Sequence, residues 1–200
     1  MKKIFITGIT GQDGIYLTKN LINSNKNIEI IGSTRNDGAK NLFYSRLKYL
    51  KVPEDNFDKV KLQKLNLVNS SDVDQFLRKF KPNFIYNLTG PSSVYDSIKF
   101  PNQKLEIENI FNNLIKSLLN QNNLSGFYQA SSSEMFDSSE DPLDENSLFK
   151  ANTPYASGKL SVHQKIFELK NEYNLNLYSG ITFNHDSEFR EDRYLIMKII

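Results

Sequence analysis

Residues 1–14, Met-Lys-Lys-Ile-Phe-Ile-Thr-Gly-Ile-Thr-Gly-Gln-Asp-Gly, leave few folds open. Ile4, Phe5 and Ile6 form an apolar run with no charge inside it, the pattern of a parallel strand buried on both faces. Gly8, Gly11 and Gly14 follow at intervals of three, and behind them an amphipathic stretch from Tyr16 to Asn23 has helical character. A strand, a glycine turn and a helix in this order make an anion site. The helix N-terminus presents unpaired N–H groups and positive dipole, and glycine lets the backbone approach a pyrophosphate. Gly14 would let the helix lie close on the sheet. The spacing is Gly-x-x-Gly-x-x-Gly, one residue wider at its first gap than the common dinucleotide fingerprint.

Strands and helices alternate along the rest of the chain. Ile28–Gly32 reads as a second strand ending in Ser33-Thr34-Arg35, and a helix follows around Asn41–Tyr49. Lys61–Leu65 alternates as a third strand, and Ser70 is placed to cap a helix running to Phe80. Phe84–Leu88 is a fourth strand, followed by the small-residue loop Thr89-Gly90-Pro91-Ser92-Ser93. Pro101–Asn120 keeps helical period through Leu105, Ile107, Ile110, Phe111, Leu114, Ile115, Leu118 and Leu119, a stripe that suits core packing. Gly126–Ala130 is a fifth strand, leading into Ser131-Ser132-Ser133-Glu134. After a polar, acidic loop, Thr153 caps a helix with Pro154 at its first position, reaching Tyr173. Leu175–Ile181 is a sixth strand. The pattern predicts an α/β fold, a doubly wound parallel sheet of Rossmann type with helices on both faces and strand order 3-2-1-4-5-6.

Composition narrows the functions open to this fold. Twenty-five basic residues against 23 acidic ones give a net charge of +2, which asks for no nucleic acid. No apolar run approaches the roughly 18 residues of a membrane span. With no cysteine, and with His163 and His185 the only histidines, neither thiolate chemistry nor a metal site is expected. These features suit a cytoplasmic protein.

Two side chains then stand out. Tyr155 and Lys159 are four residues apart and share a helix face. An ammonium beside a phenol favours phenolate, drawing its pKa down from about 10. Such a tyrosine can take a proton from a sugar hydroxyl while the carbon beneath passes hydride to a nicotinamide. The serine-rich end of the fifth strand could set a hydroxyl beside the phenol. Arg35 stands at the end of the second strand, where NAD-binding folds place a carboxylate on the ribose 2′-hydroxyl. An arginine there favours a 2′-phosphate and therefore NADP; Asp37, two residues on, is the competing reading.

Taken together, Gly8-x-x-Gly11-x-x-Gly14, Ser131-Ser132-Ser133 and Tyr155-x-x-x-Lys159 resemble the extended short-chain dehydrogenase/reductase superfamily. Within it the chain is most similar to the GDP-mannose 4,6-dehydratase family. The narrower match rests on Gly8–Gly14 with Gln12-Asp13 inside it, on Tyr86-Asn87-Leu88, on Gln129-Ala130-Ser131-Ser132-Ser133-Glu134 and on Phe183-Asn184-His185. The resemblance implies a lyase acting on GDP-mannose, with NADP as cofactor and a homo-oligomeric state. It implies that Tyr155 removes the 4-hydroxyl proton as hydride leaves C4 for NADP. Glu134 then abstracts the C5 proton and assists loss of water from C6, and the hydride returns to C6. Ser132 stands for the family's usual threonine, its hydroxyl donating to O4, and Lys159 holds the nicotinamide ribose. Cofactor contacts carried over are Gly8, Thr10, Gly11, Gln12, Asp13, Gly14, Arg35, Asn66, Leu67, Leu88, Tyr155 and Lys159. Substrate contacts are Ser92, Ser132, Asn184, Arg190 and Lys198.

The chain also departs from that family. Asn66 replaces an aspartate, Asn36 a second arginine, Glu191 a glycine and Met197 an arginine, and Thr89-Gly90-Pro91-Ser92 replaces Gly-Ala-Gln-Ser. Family members run on into a smaller substrate domain. On this reading residues 1–200 are the NADP-binding domain, the substrate region begins at about 183–200, and the smaller domain is largely absent. Two alternatives stay open: a 4-epimerase or reductase of the same superfamily, which needs no base at the Glu134 position, and an NADP-binding fragment without catalysis.

Overall fold

A computed structural model describes residues 1–24, 27–91, 93–119, 124–137 and 142–190, together with 192, 194, 197 and 199. Six strands, β1 (Lys2–Thr7), β2 (Ile28–Thr34), β3 (Val60–Lys64), β4 (Phe84–Asn87), β5 (Gly126–Ala130) and β6 (Leu177–Gly180), form one sheet in the order β3-β2-β1-β4-β5-β6. Every pairing is parallel. The order reverses between β1 and β4, and their C-terminal ends therefore flank the crevice where open α/β sheets bind ligands.

The helices α1 (Gln12–Ser24), α2 (Ala39–Tyr49), α3 (Ser70–Phe80), α4 (Val94–Lys99), α5 (Gln103–Leu119) and α6 (Pro154–Tyr173) cover both faces. Side chains alternate along each strand, so one sheet feeds two cores. Ile4, Ile6, Ile28, Ile30 and Val60 pack with Ile15 and Ile22 of α1 and with Phe43 and Leu47 of α2. Phe5, Ile85, Phe127 and Leu177 pack on the other face with Val73 and Leu77 of α3, Phe111 and Leu114 of α5, and Val162 and Ile166 of α6. Most of the apolar stripe of α5 is core, as its period predicts, but Leu105 and Leu119 remain exposed.

Two local features differ from the sequence reading. The cap of α3 is Asn69, whose Oδ1 accepts from the N–H of Ser71 and Asp72; Ser70 is the first helical residue. Between the small-residue loop and α5 lies the six-residue helix α4, whose cap Ser93 accepts from the Asp96 N–H at 3.1 Å. The predicted start of α6 is found as read. Thr153 Oγ1 accepts from the Ala156 N–H at 3.1 Å, and Pro154 opens the helix where its missing N–H costs nothing.

Candidate active site

The glycine turn is built for close backbone approach. Gly8 has φ +67°, a left-handed conformation that a side chain would strain. A Cβ on Gly14 would lie 2.6 Å from the Gly8 carbonyl oxygen and from the Ile9 backbone. The first turn of α1 thus seats directly on the end of β1, with the Gly11 N–H donating to the Gly8 oxygen at 3.0 Å. This cradle fits a dinucleotide pyrophosphate: small, and lined by backbone at a helix N-terminus.

Gln12 and Asp13 do more than the sequence reading gave them. Gln12 Nε2 donates to the His185 carbonyl at 3.0 Å, and Ser187 Oγ donates to Gln12 Oε1 at 3.2 Å. Asp13 Oδ1 lies 2.8 Å from His185 Nε2, and Tyr16 donates to Glu188 at 2.8 Å. From α2, Arg46 donates to the Thr10 carbonyl at 2.6 Å and to the Phe189 carbonyl at 3.3 Å. The segment after β6 is therefore strapped across the N-terminus of α1. The Phe183 carbonyl, accepting from His185 Nδ1, raises the imidazole pKa above its ordinary value; partial burial opposes this and Asp13 adds to it.

At the ends of β1, β4 and β5 the core turns polar. Thr7 Oγ1 accepts from the N–H groups of Leu88 and Thr89 at 3.2 Å each, and its hydroxyl donates to Asn87 Oδ1. Asn87 Nδ2 donates to Gln129 Oε1 at 2.7 Å, and Gln129 Nε2 to the Ala130 carbonyl at 2.9 Å. Lys159 Nζ reaches that same carbonyl at 2.9 Å. Thr7, Asn87, Gln129 and Lys159 are all buried.

Ser132, Glu134 and Tyr155 come together beside Lys159. Ser132 is buried, caps the 3-10 turn Ser133–Met135 by accepting from the Glu134 N–H, and hydrogen-bonds the Tyr155 side chain. Glu134 is exposed and close enough to act electrostatically on the phenol. The lysine–phenol relation differs from the expectation. Lys159 Nζ is 5.7 Å from the Tyr155 ring centroid and points down to the Ala130 carbonyl. Burial lowers the lysine to about 8. Burial likewise pushes the Tyr155 phenol up; Ser132 and Arg190 draw it down, while Glu134 and Tyr194 push it further up.

The remaining predicted residues spread around this centre. Arg35 is exposed just beyond β2, and the competing Asp37 is paired with Lys64 Nζ at 2.6 Å. Beyond β3, Asn66 Oδ1 accepts from the Val68 N–H, and Leu67 is buried. Leu88 is half-buried at the end of β4 and Asn184 is exposed. Arg190 is half-buried, its guanidinium 3.7 Å from the Tyr194 ring centroid and its Nε 3.2 Å from Asp186 Oδ1. That approach is an ion pair without hydrogen-bond alignment. Ser92 and Lys198 lie outside the described residues. Among the described residues no cluster of histidine and acidic side chains could hold a metal, and no helix is long and apolar enough to cross a membrane.

The sheet order and the glycine cradle are those of the extended short-chain dehydrogenase/reductase fold. A solved dTDP-glucose 4,6-dehydratase from Streptomyces venezuelae, with NAD and TYD bound, matches 98% of this chain and 60% of its own at TM-score 0.82 and 16% identity. A UDP-glucuronic acid 4-epimerase from Bacillus cereus, in complex with UDP-glucuronic acid and NAD, matches 98% of this chain and 60% of its own at TM-score 0.80 and 16% identity. At such identities they show the shared fold. The family described as GDP-mannose 4,6 dehydratase matches residues 5–200, and the chain belongs to it. GDP-mannose 4,6 dehydratase 1 from Arabidopsis thaliana is 32% identical over 205 residues, covering 99% of this chain and 56% of the relative. The chain thus spans little more than half the length of that curated relative.

Proposed function

We propose that the whole protein is a nucleotide-sugar dehydratase converting GDP-mannose to GDP-4-keto-6-deoxymannose, with NADP as its resident cofactor. Residues 1–200 are then the cofactor domain, and the substrate region begins at about 183–200. The observation that carries this reading is Glu134, an exposed carboxylate within electrostatic reach of the Tyr155 phenol at the same strand end. A dehydratase needs a base there for C5; an epimerase does not.

NADP, when bound, supplies a hydride acceptor and later a hydride donor. Gly8, Thr10, Gly11, Gln12, Asp13 and Gly14 would form the cradle for its pyrophosphate, Arg35 would meet the 2′-phosphate, and Asn66, Leu67 and Leu88 would border the adenosine half. Tyr155 Oη takes the 4-hydroxyl proton, and Ser132 Oγ donates to O4. The 4-ketone acidifies C5–H, Glu134 removes that proton, and the same carboxyl returns a proton to the hydroxyl leaving C6 as water. Lys159 would hold the nicotinamide ribose. Ser92, Asn184, Arg190 and Lys198 are the proposed substrate contacts, and the assembly is a homo-oligomer.

Burial raises the Tyr155 phenol above its ordinary value, so its activation as a base depends on what joins it at the site. The test is Glu134→Gln in the whole protein. Accumulation of 4-keto sugar that retains its C6 oxygen is expected, since oxidation at C4 survives and elimination stops. Undiminished dehydration would remove the assignment and favour an epimerase or reductase.

A further inference from the structure

The polar layer under the site has one direction. Two backbone N–H groups occupy Thr7 Oγ1, so the hydroxyl proton has only Asn87 Oδ1 to go to. That fixes the Asn87 amide, which points its Nδ2 at Gln129 Oε1. The Gln129 amide is fixed in turn, and its Nε2 must face the Ala130 carbonyl. Lys159 Nζ meets the same oxygen, also at 2.9 Å. A carbonyl oxygen has two lone pairs, and here both are used.

We propose that Gln129 is a positioning residue for Lys159: its locked amide holds the Ala130 carbonyl as the seat of the ammonium. The proposal rests on the reading of Lys159 as part of the cofactor site. Gln129 is buried, and it acts through the shared oxygen. The chain of bonds begins at Thr7, the residue before Gly8, so the cofactor cradle and the lysine are tied to one buried frame. Loss of any link would orphan a buried amide, and that cost keeps the orientation single.

The residue type matters as well as the shape. The amide presents an N–H to the carbonyl and no charge to the lysine beside it. A carboxylate of the same shape would still accept from Asn87 but would place an anion against the ammonium. Among the described residues, the Tyr155 ring centroid lies 5.7 Å from Lys159 Nζ, and Glu134 acts on that phenol from the turn after β5. The backbone of Lys104 in α5 packs against α6 at Gly158.

The test is NMR on the 200-residue chain with ¹³C,¹⁵N-labelled lysine and glutamine, Lys159 being assigned with Lys159→Arg. In the unsubstituted chain, Lys159 is expected to titrate near 8 and to show a cross-peak to the Gln129 side-chain amide. Gln129→Glu is expected to raise that midpoint by about 1–3 pH units. Gln129→Leu should raise it less, because the carbonyl then serves the ammonium alone. An absent cross-peak, or folded variants whose Lys159 titrates as in the parent, would overturn the proposal and leave Gln129 as space-filling. If one variant fails to fold, the cross-peak and the other variant still decide. NADPH plays no part in these measurements, so failure of the dehydratase reading would leave their outcome untouched.

Discussion

His185 Nε2 lies 2.8 Å from Asp13 Oδ1, joining the segment after β6 to the first turn of α1. Its pKa is raised, first by the Phe183 carbonyl and then by Asp13 against partial desolvation. A raised folded pKa stabilises fully below the unfolded value of about 6.5 and is lost as pH rises through the folded value. His185→Ala should therefore lower Tm relative to the parent at pH 5–6, and the gap should close by about pH 8. The effect is small because both partners are about half exposed. Thermal melts across that range check it, and a gap that widens with pH would contradict it.

His163 has the opposite sign. It is 6% exposed, 2.7 Å from Ser179 Oγ and set edge-on between Phe149 and Phe167; burial lowers its pKa. The unfolded chain then binds the extra proton, so this stability is present above about pH 6.5 and lost as pH falls through the folded value. Between those limits the parent should lose up to about 1.4 kcal/mol per pH unit relative to His163→Gln. Urea melts of both proteins at pH 5, 6 and 7 read the difference directly.

Gly14→Ala should destabilise the chain by about 1–3 kcal/mol, because the new Cβ meets backbone that cannot swing away. The same shift should loosen the cradle and weaken NADPH binding more than the stability loss alone explains. Urea unfolding and fluorescence titration at a temperature where the variant is fully folded separate the two effects.

Arg35→Ala should cost roughly ten- to a hundredfold in NADPH affinity, the value of a hydrogen bond to a charged group, and leave NADH nearly unchanged. Asp37 is engaged with Lys64, which leaves Arg35 as the exposed side chain nearest the strand end. Equal NADPH and NADH affinity in the parent at fixed ionic strength would reject the 2′-phosphate role.

The first strand was legible because burial on both faces needs an uninterrupted apolar run such as Ile4–Ile6, and the third because Val60–Lys64 lies in an alternating stretch. The glycine turn and the Thr153-Pro154 helix start were legible because each is a local rule. The helix α4 is six residues long, too short for periodicity, although Ser93-x-x-Asp96 carried its capping signal. The choice of Asn69 over Ser70 could not be read from type, since either residue can cap. The strap across α1 and the Thr7–Asn87–Gln129 layer depend on partners 42 to 175 residues apart, which no window of sequence contains. The Tyr155–Lys159 spacing was visible; that the ammonium turns to the Ala130 carbonyl was not.

The proposed dehydratase moves hydrogen within one sugar, and the position of an isotope label reads that transfer. Supply the whole protein with NADP and GDP-mannose deuterated at C4, and locate the label in the product by NMR. Deuterium is expected at C6 of a 4-keto-6-deoxy sugar, with no net consumption of cofactor. A dehydrated product without deuterium at C6, or a 4-epimer carrying the label at C4, would contradict it.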